Sequence, residues 1–330
     1  MDARAFIKQI NEHTLLPFYL LHGEESYASE QMLRHAIATL QPQDEVGMDR
    51  EFFAEGSQPA AWVQSAQTCP WLSPLRVVVV RGSGLWKIKA GSEAHKTLAD
   101  YLENPNPQVV LLFVCPEKAD ARTAVYKMLQ KNEVHSPLYT PGEAAQWLCR
   151  QAGVRGGEIQ PRAATHMAER CGVGLWNLNH ELDKLLAYAG GRAIGMADVD
   201  TLTEANIAYK VFAMVDCIVE NKPQHVARLL QEAQSEREEP LMIMAMLARQ
   251  LHGVYCVRTA PPAEQSGLAA TLGVPPFALR RMQQQARQCQ PENLAQGLTL
   301  LAELEERIKS GKIRDAWPAL QNLIMAKLMG

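Results

Sequence analysis

"FYLLHGEESYASEQMLRHAI", Phe18 to Ile37, is the stretch on which the fold turns. A short apolar run ends at His22, a glycine follows, and a helical pattern begins near Ser26, so a strand, a turn and a helix are predicted. Nucleotide-binding proteins keep their phosphate loop at this place, written G-x-x-x-x-G-K-S/T. Its glycines let backbone N–H groups curl round the phosphates, its lysine reaches the terminal ones and its hydroxyl holds magnesium. Here only Gly23 is present, followed by Glu24 and Glu25 where two phosphates would lie. A helix N-terminus favours one anion; these carboxylates would take that role and repel a triphosphate. Gly23, Glu24 and Glu25 therefore read as a degenerate nucleotide loop, a plain strand-to-helix turn with acidic helix-start residues. Ser26 is a candidate helix cap.

Outward from this turn, residues 1–140 alternate strands with helices. Strands are predicted at 18–22, 51–54, 76–81 ("RVVVVR") and 108–115 ("QVVLLFVC"), with a weaker one near 133–139. The two apolar runs are continuous rather than alternating, as in parallel strands covered on both faces. Helical patterns lie between them at 26–40, 58–68, 93–103 and 120–130. After Pro137 and Pro141 the strands stop. Residues 141–207 carry shorter helical patterns at 142–152, 160–171, 174–189 and 197–204, with Pro161 at a helix start. From 208 to 330 the helices lengthen: 208–220, 223–235, 239–258, 275–288, 291–310 and 315–328, with "TAPPAEQSGL" as a loop. The reading is an α/β N-terminal domain with a central parallel sheet, then a small helical domain, then an all-α domain.

Composition narrows the function. The 330 residues are 47% hydrophobic, enough for full cores in two or three domains. Lys+Arg number 33 against 36 Asp+Glu, a net charge of −3, which disfavours a stand-alone nucleic-acid binder. The seven cysteines are irregularly spaced and odd in number, without C-x-x-C, so free thiols and no metal site are expected; Cys217 and Cys256 are expected in the core. No apolar run is seen to approach the ~18 residues of a membrane span. A soluble cytoplasmic chain without a cofactor is expected.

Six stretches in order resemble one family, the delta subunit of the bacterial replicative clamp loader, part of the DNA polymerase III holoenzyme. "YLLHGEESYASEQ" resembles its Y-L-L-x-G-x-D-x-Y-L-x-x-E opening, with Glu25 for the usual Asp. "PWLSPLRVVVV" resembles its apolar pair, basic residue and strand. "GLWNLNHELDKLLAYAGG", "VFAMVDCIVENKPQHVARLL", "EEPLMIMAMLARQLHGVY" and "LGVPPFALRRMQQQARQCQPENLAQGLTLLAELEERIKSG" resemble helices of its second and third domains. The resemblance implies an AAA+-like frame that has lost catalysis: a clamp-binding domain, 1–140, without a phosphate loop; a helical lid, 141–207; and a collar for oligomerisation, 208–330. It implies a subunit that binds and opens the sliding clamp (beta) for loading onto primed DNA. The implied partners are the ATPase subunits (gamma/tau) and delta prime through the collar, and primer–template DNA in the assembled complex.

The residues agree that nucleotide chemistry is absent. "RVVVVRG" ends in Arg81 and Gly82 and "VVLLFVC" in Cys115, so neither strand ends in the hard oxygen ligands magnesium needs. An ATP-hydrolysing AAA+ relative would need that loop and those acids. A delta-prime-like subunit would carry a cysteine cluster and an S-R-C motif, and neither occurs. In "TCPWLSPLR", Trp71 and Leu72 stand between Pro70 and Pro74. Taken alone, the pair is either a core anchor leading into "VVVV" or an exposed contact. The resemblance implies the second, an apolar pair that enters a hydrophobic pocket on the clamp, with Trp-Leu where relatives carry Leu-Phe or Phe-Phe. Arg249, Arg280, Arg281, Lys309 and Lys312 belong to a set of collar cations that are either a solvated face or partly DNA-facing. Asp183, Lys184 and Asp216 read as helix-surface or inter-helix pairs.

Overall fold

Valine and leucine build the sheet. β1 (Phe18–His22), β2 (Arg50–Phe53), β3 (Arg76–Arg81), β4 (Val109–Cys115) and β5 (Glu133–His135) form one five-stranded sheet in the order β2-β3-β4-β1-β5. Every pairing is parallel, with Phe18 opposite Leu111 and Val77 opposite Val110. The computed structural model describes residues 1–41, 44, 46–261, 267–274 and 276–328. Val77, Val78 and Val79 of β3 and Leu111, Leu112 and Phe113 of β4 have no exposed surface. The strand period of two divides them between two cores. Leu20, Val78, Val80, Leu111 and Phe113 face a layer that includes α3 (Pro59–Gln67), α4 (Glu93–Glu103) and α5 (Ala124–Leu129). Tyr19, Leu21, Val77, Val79 and Leu112 face α1 (Ala3–Asn11) and α2 (Ser26–Leu40). This is the α/β layer with a central parallel sheet that the runs predict.

Local differences have local causes. α1 is absent from the sequence reading; Asp2 caps it by accepting from Ala5 N at 2.7 Å, and Phe6 and Ile10 bury one narrow stripe. α5 begins at Ala124, later than predicted, because Thr123 is its cap and accepts from Tyr126 N. β5 is three residues long, not seven.

The chain divides into two compact units, one of Met1–Ala144 with Val173–His180, the other of Ala145–Gly172 with Glu181–Gly330. Further along the chain run α6 (Pro141–Val154), α7 (Pro161–Cys171), α8 (Leu175–Ala189), α9 (Met196–Leu202), α10 (Ile207–Val219) and α11 (Pro223–Ser235). α12 (Pro240–Thr259), α13 (Leu268–Leu272), α14 (Pro276–Ala286), α15 (Pro291–Lys309) and α16 (Ala316–Leu323) complete them. α13 begins at Leu268, the last residue of the expected loop 259–268, of which 262–266 lie outside the described residues. α16 ends at Leu323 and gives way to a π-helical turn over Ile324–Leu328, where one helix to 328 is predicted.

The helical core of the second unit gathers Val211, Met214 and Val215 of α10, Leu229 and Leu230 of α11, and Ile243, Leu247 and Val254 of α12. Met282, Leu301 and Leu320 close it from α14, α15 and α16. α12 corrects one expectation: it is long and apolar enough to cross a membrane by length and composition, yet its buried stripe is the middle of this core. Cys217 and Cys256 are half-buried, and Cys217 packs against this core. Asp216 ties α10 to α14 through Arg281 at 2.6 Å and Gln285 at 2.5 Å. Asp183 meets Arg155 at 2.6 Å, and Lys184 meets Glu181 at 2.8 Å.

Candidate functional site

The turn after β1 is closed on itself. Gly23 has φ +139°, and a Cβ there would lie 2.1 Å from the carbonyl oxygen of Ser136. Close approach of two backbones thus explains the glycine. The N–H groups that a phosphate loop would turn toward its ligand are spent internally: Gly23 N donates to Glu117 O at 3.2 Å and Glu25 N to Ser136 O at 3.1 Å.

The anion of this turn is Glu25. Its carboxylate is 2% exposed and accepts from Tyr27 N and from Leu175 N, both at 3.1 Å. One carboxylate thereby satisfies the N-termini of α2 and α8, the role a phosphate has elsewhere. Burial pushes the Glu25 carboxyl above its ordinary value, and the two N–H groups offset part of that rise. Ser26 is not the cap, a correction: Glu25 is, because the longer carboxylate reaches Tyr27 N while the Ser26 hydroxyl accepts from Trp176 Nε1 at 3.2 Å. Glu24 is exposed and lies 3.6 Å from His135.

Beside this turn is a cavity of about 390 Å³ lined by Ser29, Glu30, Arg81, Val114 and Trp176, among others. Glu30 holds Arg81 through two hydrogen bonds, 2.9 and 3.1 Å. At the end of β4, burial pushes the Cys115 thiol up to about 12.

The loop between α3 and β3 is built the opposite way, with side chains out and backbone held in. Trp71 is 76% exposed and Leu72 58%; the core-anchor alternative is not what the fold adopts. Beneath them lies Asp49, with no exposed surface. Its carboxylate accepts from Trp71 N, Leu72 N and Ser73 N, each at 2.6 Å. Burial would raise the Asp49 carboxyl; the three N–H groups and Arg76 overcome that and hold it below its ordinary value. Arg76 donates to Glu51 at 2.8 Å and to the carbonyls of Met48 and Ser65, each at 3.2 Å. Asp49 has no signature that sequence reasoning can find. Its partners are backbone groups more than twenty residues away, and any residue type supplies those.

The cations of the C-terminal helices separate into two groups. Arg249 lines a groove of about 380 Å³ between α12 and α15 with Met244, His252, Leu301 and Glu305. Lys309 pairs with Glu305 at 2.5 Å. Glu305 thus links Arg249 and Lys309 to one groove, whereas Arg280 is exposed on α14 and Lys312 in the bend between α15 and α16. Arg281 is no solvated cation: besides Asp216 it lies over the rings of Tyr209 and Phe212, 5.4 and 5.3 Å from their centroids.

Comparison with known proteins gives two family matches. The family described as DNA polymerase III, delta subunit, matches residues 19–136, and the DNA polymerase III delta subunit, C-terminal domain, matches residues 208–327. DNA polymerase III subunit delta of Bacillus subtilis (strain 168) is 24% identical over 318 residues, 92% of this chain and 91% of that one. Among solved structures, the Bacillus subtilis DNA clamp loader delta protein aligns with a TM-score of 0.62 at 23% identity, over 99% of both chains.

Proposed function

We propose a clamp-docking role without nucleotide chemistry for this chain, which belongs to the DNA polymerase III delta subunit family. In this reading Trp71 and Leu72 enter an apolar pocket on the sliding clamp (beta) and favour a clamp with one interface open, ready for primed DNA. Residues 1–140 form the clamp-binding domain, 141–207 the lid and 208–330 the collar. The collar joins the ATPase subunits (gamma/tau) and delta prime in the cytoplasmic replisome. Those partners supply ATP hydrolysis; this chain carries the resulting movement to the clamp. Arg249 and Lys309, with Arg280 and Lys312, are the cations that would meet primer–template DNA in the assembled complex. Arg281 is committed to Asp216 and is the weakest of that set.

The observation that carries this reading is the exposed apolar pair on a held backbone. Contiguous exposed apolar surface marks interaction sites, and tryptophan is among the commonest interface hot spots. A large aromatic buries ~150–250 Å², which at ~25 cal/mol per Å² is roughly 4–6 kcal/mol as an upper bound. Moving an equilibrium from 1:99 to 99:1 takes about 5.5 kcal/mol. Docking that fits the open clamp better than the closed one is therefore of the right size to shift the population.

The test is energy transfer between dyes placed either side of one clamp interface. Adding the chain without nucleotide should lower the transfer as that interface parts. Saturating binding with transfer unchanged would reduce the role to tethering.

A further inference from the structure

We infer that Asp49 is the positioning residue of the docking loop, a buried carboxylate that sets Trp71 and Leu72 in their binding conformation before any partner arrives. The inference rests on the docking reading above. Three observations carry it. The carboxylate accepts three consecutive N–H groups, those of Trp71, Leu72 and Ser73, so it fixes the backbone of the loop rather than a side chain. Successive N–H groups converging on one anion form a nest, which holds backbone dihedrals that an unpaired loop would sample freely. Asp49 is itself immobilised from several sides. Its N–H donates to Asp44 Oδ2 at 2.9 Å, and its carbonyl accepts from Gln41 Nε2 at 2.6 Å and from Val77 N at 2.9 Å. The last bond ties it to β3, so the loop is referenced to the sheet. Finally, the two side chains above this anchor make the loop's apolar surface while their backbone faces inward.

A loop that must be ordered on binding spends part of its interaction energy on that ordering; one already ordered does not. Asp49 therefore acts on affinity through Trp71 and Leu72 and touches no partner itself. Asparagine at this position keeps the size of the side chain but replaces one acceptor oxygen with a donor, leaving at least one of the three N–H groups unmet.

The experiment is a double-mutant cycle with the full chain and purified sliding clamp, read by equilibrium affinity and by hydrogen exchange at residues 71–73. Asp49→Asn should weaken clamp binding about tenfold, speed exchange of those three amides and lower the fluorescence anisotropy of Trp71. In a chain already carrying Trp71→Ala and Leu72→Ala, Asp49→Asn should have no further effect on affinity. If Trp71→Ala with Leu72→Ala abolishes binding while Asp49→Asn leaves it unchanged, Asp49 is not the positioning residue and the docking reading survives. If Trp71→Ala with Leu72→Ala leaves binding unchanged, the docking reading fails and this inference with it. Should Asp49→Asn not fold, exchange in the unmodified chain decides: slow amides at 71–73 support the nest, and amides exchanging at free-loop rates overturn it.

Discussion

Replacing Trp71 and Leu72 together by alanine is expected to weaken clamp binding by ~2–4 kcal/mol, roughly 30- to 1,000-fold, and to leave the melting temperature almost where it was. The two halves of that expectation have different causes. The loss in affinity follows from removing large apolar groups that only a partner can bury. The unchanged stability follows from exposure: at 76% and 58% exposed, the pair contributes little to either core of the α/β unit. Exposed substitutions away from special features change stability by about 0.5 kcal/mol or less. A core pair would behave otherwise, since truncating buried Leu or Trp costs about 2–5 kcal/mol of folding energy. Thermal unfolding and clamp titration on the same preparation separate the cases. A large drop in melting temperature with affinity per folded molecule unchanged would refute the docking assignment.

The second large effect is expected at Gly23. Gly23→Ala should destabilise the chain by about 3–5 kcal/mol, combining overpacking with backbone strain. The added Cβ would sit 2.1 Å from Ser136 O, a backbone atom that cannot rotate away, at a φ of +139° that residues with a Cβ rarely adopt. Relief would require moving the segment after β5, and that segment is pinned by Ser136 N to His22 O at 2.8 Å and by Glu25 N to Ser136 O at 3.1 Å. Urea denaturation checks it. A variant within 0.5 kcal/mol of the parent would mean that the turn is slack and that the glycine has some other purpose.

What could be read in advance was whatever a contiguous run of side chains encodes. "RVVVVR" and "VVLLFVC" are buried on both faces, so their continuity alone marks central parallel strands. α2 and α11 carry an uninterrupted apolar stripe and begin and end where expected, at Ser26–Leu40 and Pro223–Ser235. α1 is absent from the sequence reading although Ala3, Phe6, Ile7 and Ile10 follow helical spacing, because a run of nine residues is short and short apolar runs are the hardest to assign. Of the candidate site, the sequence displays the absent lysine and hydroxyl, the acidic pair, and the proline-bracketed Trp71 and Leu72. It does not display the wiring. Glu25 meets Leu175 and Asp49 meets Trp71 through backbone N–H groups, and backbone hydrogen bonds leave no trace in residue type. Arg281 reads in the sequence as one of a set of cations, either solvated or DNA-facing, because Asp216, its partner, lies 65 residues away on another helix.

In the proposed reading this chain engages the clamp through a loop preset by its own fold, with Glu25 in place of a nucleotide's phosphate. The most direct test is a titration of labelled sliding clamp with the purified chain, run once in buffer and once with saturating ATP and magnesium. The two curves should coincide, with the same dissociation constant and the same end point. A shift of about tenfold or more, ~1.4 kcal/mol of coupling between nucleotide and clamp, would contradict it.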